Sequence, residues 1–242
     1  MSYIHKSILD YINSYKLFLE QNINNIVYIN NNNPNINLFA TGEYKLFSII
    51  VENVRMDLNY LLALNPDFDI LGFPAIKRNL RISIEAYYDL YNLVSDRFYF
   101  ELLQYQSVKN INIDNNTLTT YQPYTKRKSL SNINKYPLTI SEKANIAINK
   151  NQLRPDIYNN LKNIATDANS YIHPDIFAGN IGNRDALLKL LIFNDCKLIA
   201  YAFDLLNIFM AKYPTPYISW INPYTAYENL YNATAYIAWI YL

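Results

Sequence analysis

Apolar side chains in this chain recur every three or four positions, segment after segment, and clean alternation is almost absent. That period belongs to helices that bury one face, so the spacing predicts an all-α helical bundle. Ile4, Ile8, Tyr11, Ile12, Tyr15, Phe18 and Leu19 predict an amphipathic helix over about 3–29. The Asn-rich run 30–37, broken by Pro34, predicts a loop. Thr41 is placed to cap a second helix whose face is Phe47, Ile50, Val51, Val54, Leu58, Leu61 and Leu62, ending near Asn65-Pro66. A third, from about Pro74 to Gln106 with a break near Ser95, carries Ile76, Leu80, Ile84, Tyr87, Tyr91 and Val94. Further on, Thr139-Ile-Ser-Glu142 spells a capping box, and Pro155 suits the first turn of the next helix. That helix, with Ile157, Leu161, Ile164, Ala168 and Tyr171 on one face, should end near His173, because the following proline disfavours α geometry. A long apolar helix over 184–212 and a Tyr-rich one from Asn222 bring the expectation to about seven helices.

Between the halves, about 109–138 shows no sustained period and reads as a long irregular loop. The expected organisation is a helical half over 1–108, that loop, and a second half over 139–242, together one compact domain. Lys189, Asn194, Asp195, Lys197, Asp204 and Asn207 interrupt the 184–212 segment too often for a lipid-exposed span, which predicts a buried central helix and no membrane.

Composition removes most chemistries. Four glycines, Gly42, Gly72, Gly179 and Gly182, build neither a phosphate loop nor a dinucleotide fingerprint. Two histidines and one cysteine are too few for a Cys/His zinc site, so neither metal nor cofactor is expected. The lone Cys196 excludes an internal disulfide and fits a reducing compartment. The start lacks the succession of a secretory signal, so the expected location is the cytoplasm. A net charge of +1 leaves any nucleic-acid contact to a local patch. One candidate is Tyr121-Gln-Pro-Tyr124-Thr-Lys126-Arg127-Lys128, which interleaves aromatics for stacking with cations for phosphate. A basic triplet in a loop is more commonly just solvated.

Two segments concentrate the remaining polar chemistry. In Arg78-Asn-Leu-Arg81-Ile-Ser-Ile-Glu85-Ala-Tyr-Tyr88-Asp89, residues Arg78, Arg81, Glu85 and Tyr88 share a stripe that Asn92 extends. The stripe fits either an i,i+4 ion pair with snorkelling arginines or an Arg–Glu network facing another helix. In Asp167-Ala-Asn169-Ser-Tyr-Ile-His173-Pro174, Asn169 and His173 face the same way. His173 fits a C-terminal cap favoured by the helix dipole. It also fits a proton-transfer group, because its ordinary pKa lies near neutrality. Should these segments meet, a cationic cluster with a mobile proton could stabilise a phosphate undergoing cleavage.

The Arg-x-x-x-Glu helix followed by a helix ending in Asn/Ser-Tyr-Ile-His-Pro resembles, distantly, HEPN-type domains, helical nucleases of toxin–antitoxin and phage-defence systems. The resemblance spans about 72–174. In that family an early polar residue faces an Arg-x4-6-His motif on a later helix. The composite site, often completed by dimerisation, cleaves RNA without metal through the 2′-hydroxyl. The resemblance implies that His173 is the motif histidine and Glu85 the early polar residue. The motif arginine has no counterpart, since the window before His173 holds Asp167, Ala168 and Asn169; Arg78 or Arg81 would supply that charge. The alternative expectation is a non-enzymatic helical scaffold or inhibitor, binding a protein partner or antitoxin, or a second copy, through the Tyr-rich stretch 224–241.

Overall fold

The computed structural model of the chain describes residues 6–32, 37–63, 72–103, 138–169 and 184–211. Within them lie six α-helices: α1 (Lys6–Asn32), α2 (Gly42–Ala63), α3 (Gly72–Ser95), α4 (Ile140–Asn149), α5 (Pro155–Asn169) and α6 (Arg184–Met210), with a 3-10 turn over Leu38–Ala40. Among the described residues there is no strand, so the all-α expectation holds. Most of the irregular loop and the Tyr-rich final segment lie outside the described residues.

Helix boundaries follow local chemistry. Thr41 Oγ1 accepts from the Tyr44 amide at 3.2 Å, capping α2 as its sequence implies. Thr139 and Glu142 form the full reciprocal capping box that opens α4. The third helix breaks at Ser95, where the Asp96 carboxylate accepts from the Phe98 amide at 3.0 Å before a helical turn over 99–103. One boundary departs from expectation. The Asn-rich run was expected to be loop from residue 30, yet α1 continues to Asn32. Asn32 Nδ2 donates to the Tyr28 carbonyl at 2.8 Å, and Asn30 Oδ1 accepts from the Leu38 amide at 2.7 Å. Those side chains satisfy backbone groups on both sides of the turn, so the helix gains most of a further turn.

α3 is the hub. It packs against α2, α4, α5 and α6, and α1 covers α2. Most of its expected face is buried: Ile76, Leu80, Ile84, Tyr87 and Val94 are each at most 6% exposed, and Tyr91 is half-buried. α2 and α3 are antiparallel, because Asn53 bonds Ser83 at 3.0 Å while Asp57, one turn on, bonds Asn79 one turn back. α6 closes the core, its Phe203 ring edge-on to Phe47 of α2 at 5.0 Å. Leu198, Ile199, Ala202, Phe203 and Leu206 join residues of α1, α2 and α3 in one apolar cluster. α6 is thus the buried central helix its interrupted pattern predicts, and no described helix is long and apolar enough to cross a membrane.

A wide backbone closure follows α4, with the Asn151 amide donating to the Ile146 carbonyl at 3.2 Å and the Leu153 amide to the Ala147 carbonyl at 2.9 Å. The residue inside it, Gln152, has φ of 59°, a left-handed conformation that glycine adopts without a Cβ clash. Gln152→Gly should therefore stabilise the protein by about 0.5–1 kcal/mol, measured by urea unfolding, against the small entropic loss of a new glycine.

Candidate functional site

Glu85, Asp89 and Asn92 follow one another at helical spacing along α3, on the side that meets α4. The capping box starts α4 so that Lys143 and Ala144 in its first turns, and Ala147 one turn on, turn inward. Lys143 Nζ donates to Asp89 Oδ2 at 2.6 Å and pairs with Glu85 Oε1 at 3.0 Å. Tyr99 donates its hydroxyl proton to the other Asp89 oxygen at 2.6 Å. Asn92 donates to the Lys143 carbonyl at 3.1 Å and accepts from Asn151 at 2.8 Å. Both charged partners at the centre are only 6% exposed.

Burial alone would lower the Lys143 pKa, but the Asp89 charge and hydrogen bond, with Glu85 behind them, outweigh it and hold the amine above its usual range. Burial pushes Asp89 up, against the pull of Lys143 and Tyr99. Lys143 is thus placed as an electrostatic anchor between the carboxyl groups of Asp89 and Glu85.

A second polar cluster lies between α2, α3 and α6. Asp57 and Asp195 are 2% and 1% exposed. Asn79 Nδ2 donates to Asp57 Oδ1 at 2.6 Å, and the Oδ2 atoms of both aspartates meet no donor. Burial lifts the Asp57 carboxyl to about 7, with the Asn79 bond opposing it. Burial and then the Asp57 charge raise Asp195 well above the ordinary carboxylate range.

Helix directions decide which candidate residues share an end of the bundle. The Arg154 charge acts on Asp204, and Asn160 bonds Tyr201 at 3.1 Å and Lys197 at 3.5 Å. As α5 advances α6 recedes, so the two are antiparallel. α6 runs parallel to α3: Asp195 lies level with Asp57 and so with Asn79, and Tyr201 packs on Tyr87 at 6.1 Å. α5 is therefore antiparallel to α3 and starts beside its C-terminal half, with Tyr91 donating to the Asn151 carbonyl at 3.2 Å. The last turn of α5, with Asn169, lies at the end that holds Arg78 and Arg81.

Along the α3 stripe exposure falls steadily. Arg78 is exposed, Arg81 and Glu85 half-buried, Tyr88 and Asn92 buried. Glu85 is held by Lys143, which the sequence did not suggest as its partner. Asn169 is placed by its backbone alone. His173, Tyr121, Tyr124, Lys126, Arg127 and Lys128 lie outside the described residues. Among the described residues no three His, Cys, Asp or Glu side chains cluster as for a metal. An open depression of about 550 Å³, lined by Asp96, Phe98, Lys150 and Gln152 among others, sits at the opposite end of α3 from the arginines.

Asp89, Lys143, Tyr99, Asp57 and Asp195 escaped the sequence reading. The one available signal was charge within apolar periodicity, as at Asp195 in 184–212. Set against known proteins, the chain matches no family model, no curated protein and no solved structure.

Proposed function

We propose that the chain is a HEPN-like protein of the phage-defence or toxin kind that engages RNA in the cytoplasm, as a metal-independent ribonuclease or as a degenerate RNA-binding relative. The observation that carries this reading is the antiparallel pairing of α3 and α5. It brings the Arg78–Arg81 turn to the end where α5 finishes at Asn169, four positions before His173. In this reading His173 takes the proton from a ribose 2′-hydroxyl, whose oxygen attacks the adjacent phosphorus to form a 2′,3′-cyclic phosphate, while the displaced 5′-oxygen takes a proton from water. Arg78 and Arg81 offset the charge that grows on the phosphate oxygens. Glu85, fixed by Lys143 at 3.0 Å, sets the electrostatics beside the half-buried Arg81. A second copy of the chain would complete the cleft, as in the family it resembles.

The test is RNA cleavage in the presence of a chelator, with a matched DNA as control. His173→Ala should lower the rate at least about 100-fold while leaving thermal unfolding unchanged, the usual share of a proton-transfer group. Arg81→Ala should weaken binding uniformly across sequences and reduce its salt dependence by about one charge. A degenerate relative would show the binding effects without the cleavage. Wild-type protein that neither cuts nor binds RNA at low salt would end this reading.

A further inference from the structure

We propose that Asp57 and Asp195 form a proton-holding carboxyl pair that clamps α2 to α6 and α3, and that loss of its proton to solvent loosens this end of the bundle. The inference stands apart from the RNA reading, because it concerns the scaffold beneath the arginine turn.

The geometry carries it. Phe47 against Phe203 sets the register of α2 and α6, which places Asp57 and Asp195 on the same level, about ten and eight positions along the two helices. Both side chains are removed from water, and each leaves one oxygen without a donor. Two carboxylates cannot both stay ionised in such a site, since neither has the solvation that pays for its charge. A carboxylic acid proton on one orphan oxygen removes one of the two buried charges, and with it the repulsion between them.

Compensating charge is scarce on α2, α3 and α6. α3 presents the neutral Asn79. Lys77, two positions earlier, stands about 200° round that helix from Asn79, and Arg78 is exposed. On α6, Lys197 turns to Asn160 of α5 at 3.5 Å. On α2, Tyr60 follows one turn after Asp57 and is uncharged near neutrality. Among the described residues no cation of any element lowers either carboxyl. Asn79 ties the pair to the helix that carries Arg78 and Arg81, so the proton bears directly on how firmly that turn is held.

The sign follows from proton counting. An aspartyl group in an unfolded chain ionises near about 3.9. The folded Asp57 keeps its proton up to about 7, and burial with the Asp57 charge holds Asp195 well above the ordinary carboxylate range. Between those limits the folded state binds more protons than the unfolded state, so stability falls as pH rises through this window.

Melting curves of the full chain between about pH 5 and about pH 8 read this out. The wild type should lose several degrees across the range, roughly 2–4 °C for each kcal/mol. Asn at either position keeps a neutral side chain of the same shape, and at residue 57 it still accepts from Asn79. Asp195→Asn and Asp57→Asn should therefore melt higher than wild type at the alkaline end, with a flatter pH profile. Profiles in both variants parallel to wild type would overturn the proposal. Carbon-13 carboxyl titration of the wild-type protein gives a readout that needs no variant. At least one aspartate should remain protonated at about pH 6, and ionisation of every aspartate below about pH 5 would equally refute the pair.

Discussion

Lys143→Met should destabilise the protein by about 3–5 kcal/mol, the usual cost of removing one partner from a buried ion pair. The loss comes mainly from what stays behind. Asp89 would remain 6% exposed with only the Tyr99 hydroxyl to satisfy it, and the Glu85 carboxylate would lose the cation that holds it at 3.0 Å. Urea unfolding with an unchanged m-value is the measurement. A cost under about 1 kcal/mol would mean that water reaches Asp89 and that the pair behaves as a surface one. The double variant Lys143→Met/Asp89→Leu separates charge from packing. Removing both ions should recover most of the loss, because an apolar pair of similar volume does not carry the desolvation penalty. Glu85→Gln, at a side chain 38% exposed, should cost well under about 1 kcal/mol.

Phe203→Ala should be of similar size, about 3–5 kcal/mol, through an unfilled cavity instead of an orphaned charge. Phe203 and Phe47 are each 1% exposed and meet edge-on at 5.0 Å, so the hole would open where α2 and α6 join. In a domain of this length that corresponds to a fall in melting temperature of roughly 10 °C. Phe203→Leu should cost much less, because most of the volume is restored. Combining Phe203→Ala with Phe47→Ala should fall short of the sum of the two, since both delete the same ring contact. Full additivity would show that the rings do not share one packing site.

What could be read from the chain divides along a physical line. Periodicity and caps are local, so the faces of α2 and α3, the Thr139–Glu142 box, the break at Ser95 and the buried character of α6 were all legible in advance. Pairings between distant residues were not. Lys143 and Asp89 are separated by 54 positions, and nothing near either one marks it as the other's partner. Glu85 was read with the arginines of its own helix because i,i+4 neighbours are the only pairs a single helix displays. Its partner Lys143 comes from α4. Asp57 and Asp195 each look like a polar interruption of an apolar run, and their relation exists only once α2 and α6 are set side by side. The candidate site was legible to the same degree: its α3 half as a stripe of falling exposure, its α5 half as a helix whose direction only the assembled bundle provides.

The position of α6 also bears on how the protein is made. Its Phe203, Leu206 and Leu198 complete a core whose other walls, α1 to α3, leave the ribosome long before it does. Until that last described helix is synthesised, the parts of α2 and α3 that it covers lack their partner, and Asp57 has no acid opposite it. The nascent chain therefore carries an uncovered apolar strip until α6 emerges, which makes this fold dependent on late closure and gives chaperones a defined surface to shield.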